Sequence, residues 1–326
     1  MCTAIAMNCK EHSYFGRNMD IPFFFNQHPI LIPKAFSYLN RAENTIQHIQ
    51  KTILGMGAII DGHPAMADAM NENGLACAGL NFAGYACFDS VKSEEKDNVT
   101  PYDFILWALS GHDTVEDIKN DISSINLVSV PINGKTPVSQ LHWMLSDKNG
   151  NSVVVECTEK GLNLYDNPVG VMTNNPEFPW HLTNLREYMK LSSQHPSESH
   201  WSSLKIDALG VGAGSLGLPG DYASVSRFVR AAFSRANTPA PIDFKDELAQ
   251  FFHELDSCAM PKGCVKTING EYDFTTYSSC MDLTAGVYYY KCYENNRLNA
   301  VKLKQTIGSE LIPFPYNNKQ DINYLN

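Results

Sequence analysis

The sequence predicts an α+β fold in which mainly antiparallel sheets are layered against helices, and three observations carry that reading. Strand-like runs come in blocks joined by short turn signals, and helix-like runs come in blocks of their own. A doubly wound parallel sheet needs a helical crossover after nearly every strand, so this order argues against one. The 326 residues are enough to bury a large core, and no repeat or linker divides them, so 1–326 reads as one domain.

The first element is a hairpin. Cys2–Asn8 reads as a strand, Lys10-Glu11-His12 as a polar turn and Tyr14–Asp20 as the returning strand. Strands follow at 53–60, 65–70 and 75–82, and Asn71-Glu72-Asn73-Gly74 supplies the turn before the last. Thr100 is placed as the cap of a helix with Pro101 at its first position, running through Phe104, Ile105, Trp107 and Leu109. Thr114 with Asp117 resembles a capping box with the shorter acid and opens a helix to about Asn126.

Strands return at 140–146, 152–158 and 162–166, with turns at Asp147-Lys148-Asn149-Gly150-Asn151 and Lys160-Gly161. A helix is expected over 178–191. The stretch 192–221 is rich in Ser, Gly and Pro and reads as a long loop, a length that usually serves function or assembly. Helices at 223–236 and 244–257 follow; Val225, Phe228, Val229, Ala232 and Phe233 fall on one stripe of the first. The segment 273–304 reads as a meander turning at Asn295-Asn296.

Composition narrows the class. A net charge of −10 and an isoelectric point near 5.4 oppose nucleic acid or an anionic membrane as partner. No apolar run is long enough to span a bilayer, and no basic segment followed by an apolar core opens the chain, so a cytoplasmic location is expected. Nine scattered cysteines, an odd number without a Cys-x-x-Cys pair, suit reduced thiols. Asn98-Val99-Thr100 fits a glycosylation sequon that has no meaning without secretion. Gly212-Ala213-Gly214-Ser215-Leu216-Gly217 matches a dinucleotide fingerprint, but Leu218-Pro219-Gly220 follows where a helix is required. No histidine or cysteine spacing fits zinc; no metal and no cofactor is expected. Cys258, Cys264, Cys280 and Cys292 read as core packing.

The chemistry begins at Cys2. A small penultimate residue permits removal of Met1, and removal leaves one residue carrying both a thiol and an α-amine. That is a self-contained nucleophile and base. The hairpin brings Arg17 and Asp20 back toward it: a fixed cation favours a thiolate, and a carboxylate can hold an ammonium group.

Met1-Cys2-Thr3-Ala4-Ile5, Gly16-Arg17-Asn18-Met19-Asp20, Asn71-Glu72-Asn73-Gly74-Leu75 and Ala78-Gly79-Leu80-Asn81-Phe82 resemble the choloylglycine hydrolase family. So do Thr173-Asn174-Asn175-Pro176, Leu218-Pro219-Gly220-Asp221, Ser226-Arg227-Phe228, Tyr277-Ser278-Ser279-Cys280 and Tyr288-Tyr289-Tyr290. That family holds the bile salt hydrolases and penicillin V acylases, and the likeness is greatest to bile salt hydrolases of gut bacteria. The resemblance implies an N-terminal nucleophile hydrolase αββα sandwich, two stacked sheets between helical layers. It implies Cys2, Arg17, Asp20, Asn81, Asn174 and Arg227 as the catalytic set, with Asn81 and Asn174 stabilising the oxyanion and Arg227 as the second active-site arginine. It also implies a homotetramer.

The expected partner is a conjugated bile salt: an apolar steroid acid joined by an amide to glycine or taurine. Phe25 in the apolar Ile21-Pro22-Phe23-Phe24-Phe25 loop, Met19 between Arg17 and Asp20, and Ile132 in the Val130-Pro131-Ile132-Asn133 loop are the pocket candidates. Gly210-Val211-Gly212 offers nothing to grip a sulfonate, which leans toward glycine conjugates. The alternatives are a penicillin V acylase using the same machinery and a catalytically silent steroid-binding protein. A glutamine amidotransferase is set aside, because Thr3 and not glycine follows Cys2 and no second domain remains.

Overall fold

The computed structural model describes residues 1–306 and 308–326. Among them the strands form two large sheets, of seven and eight strands, and every pairing in both is antiparallel. The first sheet runs Val171–Met172, Cys2–Asn8, Ser13–Ile21, Tyr272–Asp282, Val287–Cys292, Asn295–Lys302, with Val265–Lys266 added to Tyr272–Asp282. The second runs Gly161–Asp166, Ser152–Thr158, Leu141–Asp147, Leu75–Asn81, His63–Asn71, Ile53–Ile60, His28–Ile32, Ile312–Pro313.

Period-two alternation assigns the layers. In the second sheet Leu54, Met56, Ala76, Ala78, Leu80, Met144 and Val154 share one core with the first sheet and with helices Ser224–Asn237 and Phe244–Asp256. The intervening residues Ile53, Leu75, Cys77, Trp143, Leu145, Val153 and Val155 face the other way, onto helices Phe104–Gly111 and Val115–Asp121. The result is helices, sheet, sheet, helices, as the resemblance implied.

The hairpin is the strongest local agreement: Cys2 pairs with Met19 and Ala4 with Arg17. Paired residues point to one side, so Cys2, Ala4, Arg17 and Met19 face the space between the sheets, whereas Thr3, Asn18 and Asp20 face the helices. Gly16 is required here, because a Cβ on it would fall 2.0 Å from the Ser279 carbonyl oxygen of the neighbouring strand.

Other expectations need correction. The first helix begins at Phe104; Pro101 lies in a preceding turn, where Asp103 is held by the Thr100 hydroxyl at 2.9 Å. The Thr114–Asp117 box is reciprocal, but its helix stops at Asp121 and gives way to a 3₁₀ turn and the strand Ile125–Leu127. The expected helix over 178–191 is α-helical only to Asn184 and 3₁₀ to Tyr188. The loop 192–221 contains a small hairpin, Ser199–Trp201 with Leu204–Ile206. Asn295 and Asn296 do not turn: Asn295 pairs with Cys292 and begins a strand. Cys264 is exposed, unlike Cys258, Cys280 and Cys292.

Candidate active site

Four elements meet at the start of the chain. Cys2 lies at the first position of its strand, 3% exposed. Its neighbour on the returning strand supplies Arg17, fully buried. Arg17 Nη2 donates to Cys2 Sγ and, at 3.3 Å, to Met19 Sδ. Its Nη1 crosses to the second sheet and donates to the carbonyls of Gly79 at 2.6 Å and Ala67 at 3.4 Å. Burial alone would lower the guanidinium, but Cys2, Tyr277, Asp68 and Asp20 together raise it, so it is a fixed cation against the sulfur.

The nitrogen of Cys2 is held separately. It donates to Asn174 Oδ1 at 2.8 Å. The same oxygen accepts from Arg227 Nη2 at 2.7 Å, and Asn174 Nδ2 donates to the Asn81 carbonyl at 2.7 Å. Arg227 reaches over from helix Ser224–Asn237, donating to Cys2 O, to Thr3 Oγ1 at 2.6 Å and through Nε to Tyr222 O at 3.0 Å. It is wholly buried, which lowers it, against the opposing pull of Asp20, Cys258 and Cys2. Arg230, on the same helix, turns instead to Ser257 O and Pro219 O.

Asp20 sits on the helix side of the strand, fully buried. Burial raises its carboxyl, opposed by Arg227 and the N-terminal amine. One oxygen accepts from Thr275 Oγ1 at 2.6 Å; the other is buried with no hydrogen-bond partner among the described residues. With Met1 in place the terminal amine bonds the Asp20 carbonyl at 2.5 Å and Asp273 Oδ2 at 3.1 Å, not the Asp20 carboxylate. The open oxygen is therefore an unused acceptor close to the chain start. Thr275 and Asp273 had no sequence signal, since each lies over 250 residues from its partner here.

The structure thus gathers Cys2, Arg17, Asn174 and Arg227 into one hydrogen-bonded group, with Asn81 attached by its main chain. Asn81 ends its strand as an exposed residue. Met19 is buried beside Arg17. Phe25 is half-buried against the main core, while Phe23 and Phe24 stand exposed. Ile132 is buried in a loop that Asn133 ties to Asp61 at 2.6 Å. Among the described residues no cluster of three His, Cys, Asp or Glu could hold a metal ion, and no helix is long and apolar enough to cross a membrane. Chemically, the cluster presents a sulfur against a cation, a nitrogen in a fixed direction and amide groups nearby: a set suited to attack on a carbonyl.

Comparison with known proteins agrees with that chemistry. The linear amide C–N hydrolases of the choloylglycine hydrolase family match residues 2–311. The bile salt hydrolase/transferase of Clostridium perfringens is 42% identical over 329 residues, covering 100% of each chain. That of Lactiplantibacillus plantarum is 41% identical over 317 residues, covering 97% of each. The crystal structure of a mutant conjugated bile acid hydrolase from Clostridium perfringens superposes with a TM-score of 0.94 at 41% identity, covering 100% of both chains.

Proposed function

The chain belongs to the choloylglycine hydrolase family of linear amide C–N hydrolases, and we propose that it hydrolyses the amide of glycine- and taurine-conjugated bile salts through a thioester on Cys2. The observation that carries the reading is the double grip on Cys2: Arg17 on its sulfur and Asn174 on its nitrogen. Removal of Met1 turns that nitrogen into an amine and frees the chain start beside the unpartnered Asp20 oxygen.

The amine takes the thiol proton, and sulfur attacks the amide carbonyl. Asn174 and Asn81 stabilise the oxyanion. The tetrahedral adduct collapses, the C–N bond breaks, and the ammonium gives its proton to the leaving glycine or taurine. Water, deprotonated by the same amine, then attacks the thioester and releases the free acid and the thiol. A free amine taking the place of water would transfer the acyl group instead, in line with the hydrolase/transferase names of the Clostridium and Lactiplantibacillus relatives.

The steroid supplies most of the binding, at about 25 cal/mol per Å² of apolar surface covered, with Met19, Phe25 and Ile132 as its contacts. The conjugate adds little, and glycine is favoured over taurine because Gly210-Val211-Gly212 carries no group for a sulfonate. The protein acts in the cytoplasm as a tetramer; the exposed Trp201, Leu204, Leu209, Val211 and Leu216 of the long loop support an assembly surface there. Intact mass spectrometry tests the mechanism: the active protein lacks Met1 and begins at Cys2. A fully active preparation that keeps Met1 throughout contradicts it.

A further inference from the structure

We propose that His142 and Glu156 form a buried clamp that positions Asn174 and Asn81, resting on the reading that these asparagines act at the reacting carbonyl. Both residues are inside the protein, 1% and 0% exposed, on adjacent strands of the second sheet. His142 Nε2 contacts the carbonyl of Thr173 at 3.1 Å, immediately before Asn174. Glu156 accepts from the amide of Phe178 through both oxygens at 3.1 Å, where the chain leaves the Asn174 loop for its helix. His142 Nδ1 and Glu156 Oε1 join at 3.0 Å. One side-chain pair therefore pins the 173–178 loop at both ends.

The other arm is held too. The His142 ring stacks on Phe82, centroids 4.2 Å apart and planes 5° apart, and Phe82 follows Asn81 directly. The same histidine thus touches the neighbours of both asparagines, whose own link is the bond from Asn174 Nδ2 to Asn81 O.

Proton placement is dictated by the partners. A carbonyl only accepts, so Nε2 must carry hydrogen. A proton must also lie between Nδ1 and Glu156. A glutamine at 156 can meet both demands, its amide oxygen accepting from Phe178 and its NH₂ donating to Nδ1. A leucine can meet neither. His142→Phe keeps a ring for the stack and loses the donors. The pair touches no reacting atom, so its role is positioning, and misplaced oxyanion donors cost turnover more than binding.

The test measures amine release from glycocholate by the full-length protein, with circular dichroism and Tm on each variant. His142→Phe and Glu156→Leu lower kcat about tenfold or more, with KM within about threefold of wild type. Glu156→Gln stays within about threefold in both constants. In the Asn174→Ala background, His142→Phe costs no further kcat, because its effect passes through Asn174. A folded His142→Phe protein with wild-type kcat, or losses that multiply in the double variant, overturns the clamp. If His142→Phe does not fold, Phe82→Leu carries the test: it must lower kcat about threefold or more, and an unchanged kcat overturns the clamp. Asn174→Ala with unchanged kcat removes the oxyanion reading itself, and the clamp with it.

Discussion

Replacing Asn174 with alanine separates positioning of the Cys2 nitrogen from mere packing. The side chain makes three short hydrogen bonds, at 2.8 Å from Cys2 N, 2.7 Å from Arg227 Nη2 and 2.7 Å to Asn81 O. Neutral bonds contribute about 1 kcal/mol each and the charged one about 1.5–3. The variant therefore loses about 4 kcal/mol, a drop in Tm of about 8 °C at about 2 °C per kcal/mol. That is a large share of the ~5–15 kcal/mol that holds a typical protein folded, so kinetics belong at low temperature with the fold checked by circular dichroism. The catalytic loss is about 10²-fold or more in kcat, the scale for one lost oxyanion donor. Asn174→Asp refines the result. A carboxylate still accepts from Cys2 N and Arg227 but repels the Asn81 carbonyl. If holding the nitrogen dominates, Asp retains more turnover than Ala; if donation to the oxyanion dominates, both fall alike. A raised KM with an unchanged kcat in either variant assigns Asn174 to substrate binding and overturns its catalytic role.

Further outcomes follow from the same geometry. Cys2→Ala abolishes turnover with its circular dichroism spectrum intact, and Cys2→Ser is severely impaired, since a hydroxyl is the weaker nucleophile; a turnover assay on the folded alanine variant decides this. Burial raises the Asp20 carboxyl, so the folded chain holds that proton more tightly than the unfolded one, and this group's contribution falls as pH climbs from 3.8 through the folded value. Asp20→Asn is therefore expected to keep or raise Tm near neutral pH while kcat drops about 10²-fold; lowered Tm with unchanged kcat assigns Asp20 a structural task instead. Burial lowers His181, which donates to the Asn174 carbonyl at 2.9 Å, from 6.5 to about 4. Its stabilisation is present above pH 6.5 and lost as pH falls toward about 4, at about 1.4 kcal/mol per unit. In urea unfolding at pH 7.5 and 4.5, His181→Phe, which retains an aromatic ring against Phe228, narrows the difference in stability by about 2 kcal/mol; identical pH dependence in both proteins disproves the assignment.

The sequence speaks clearly wherever a feature is local. The Cys2–Asn8 and Ser13–Ile21 hairpin is legible from alternation and a polar turn, and with it the proximity of Arg17 to Cys2. Strand His28–Ile32 is not, because Pro29 and Pro33 bracket only three apolar residues, too short a run to signal a strand. Asn295-Asn296 misleads in the opposite direction: turn-prone side chains stand in a strand because Asn295 is buried and its amide bonds Asn317 O at 3.3 Å. At the site, Arg227 shows the same limit. Charge and spacing in helix Ser224–Asn237 do not distinguish it from Arg230 or Arg235; only the Ser226-Arg227-Phe228 resemblance singles it out, and the physical reason lies in the fold, which aims Arg227 at Cys2 and Asn174 across more than 50 residues of sequence. Thr275 beside Asp20 and the His142–Glu156 pair are legible only in three dimensions, since their partners are set by sheet stacking and not by spacing.

Cleavage of conjugated bile salts by Cys2 is decided by amine release from glycocholate, taurocholate and penicillin V, measured side by side on purified protein lacking Met1. The expected result is release of both glycine and taurine, kcat/KM for glycocholate at least equal to that for taurocholate, a much lower value for penicillin V, and none of these activities in Cys2→Ala. Release from none of the three substrates, a penicillin V constant above both bile salts, or bile salt cleavage that survives Cys2→Ala would contradict it.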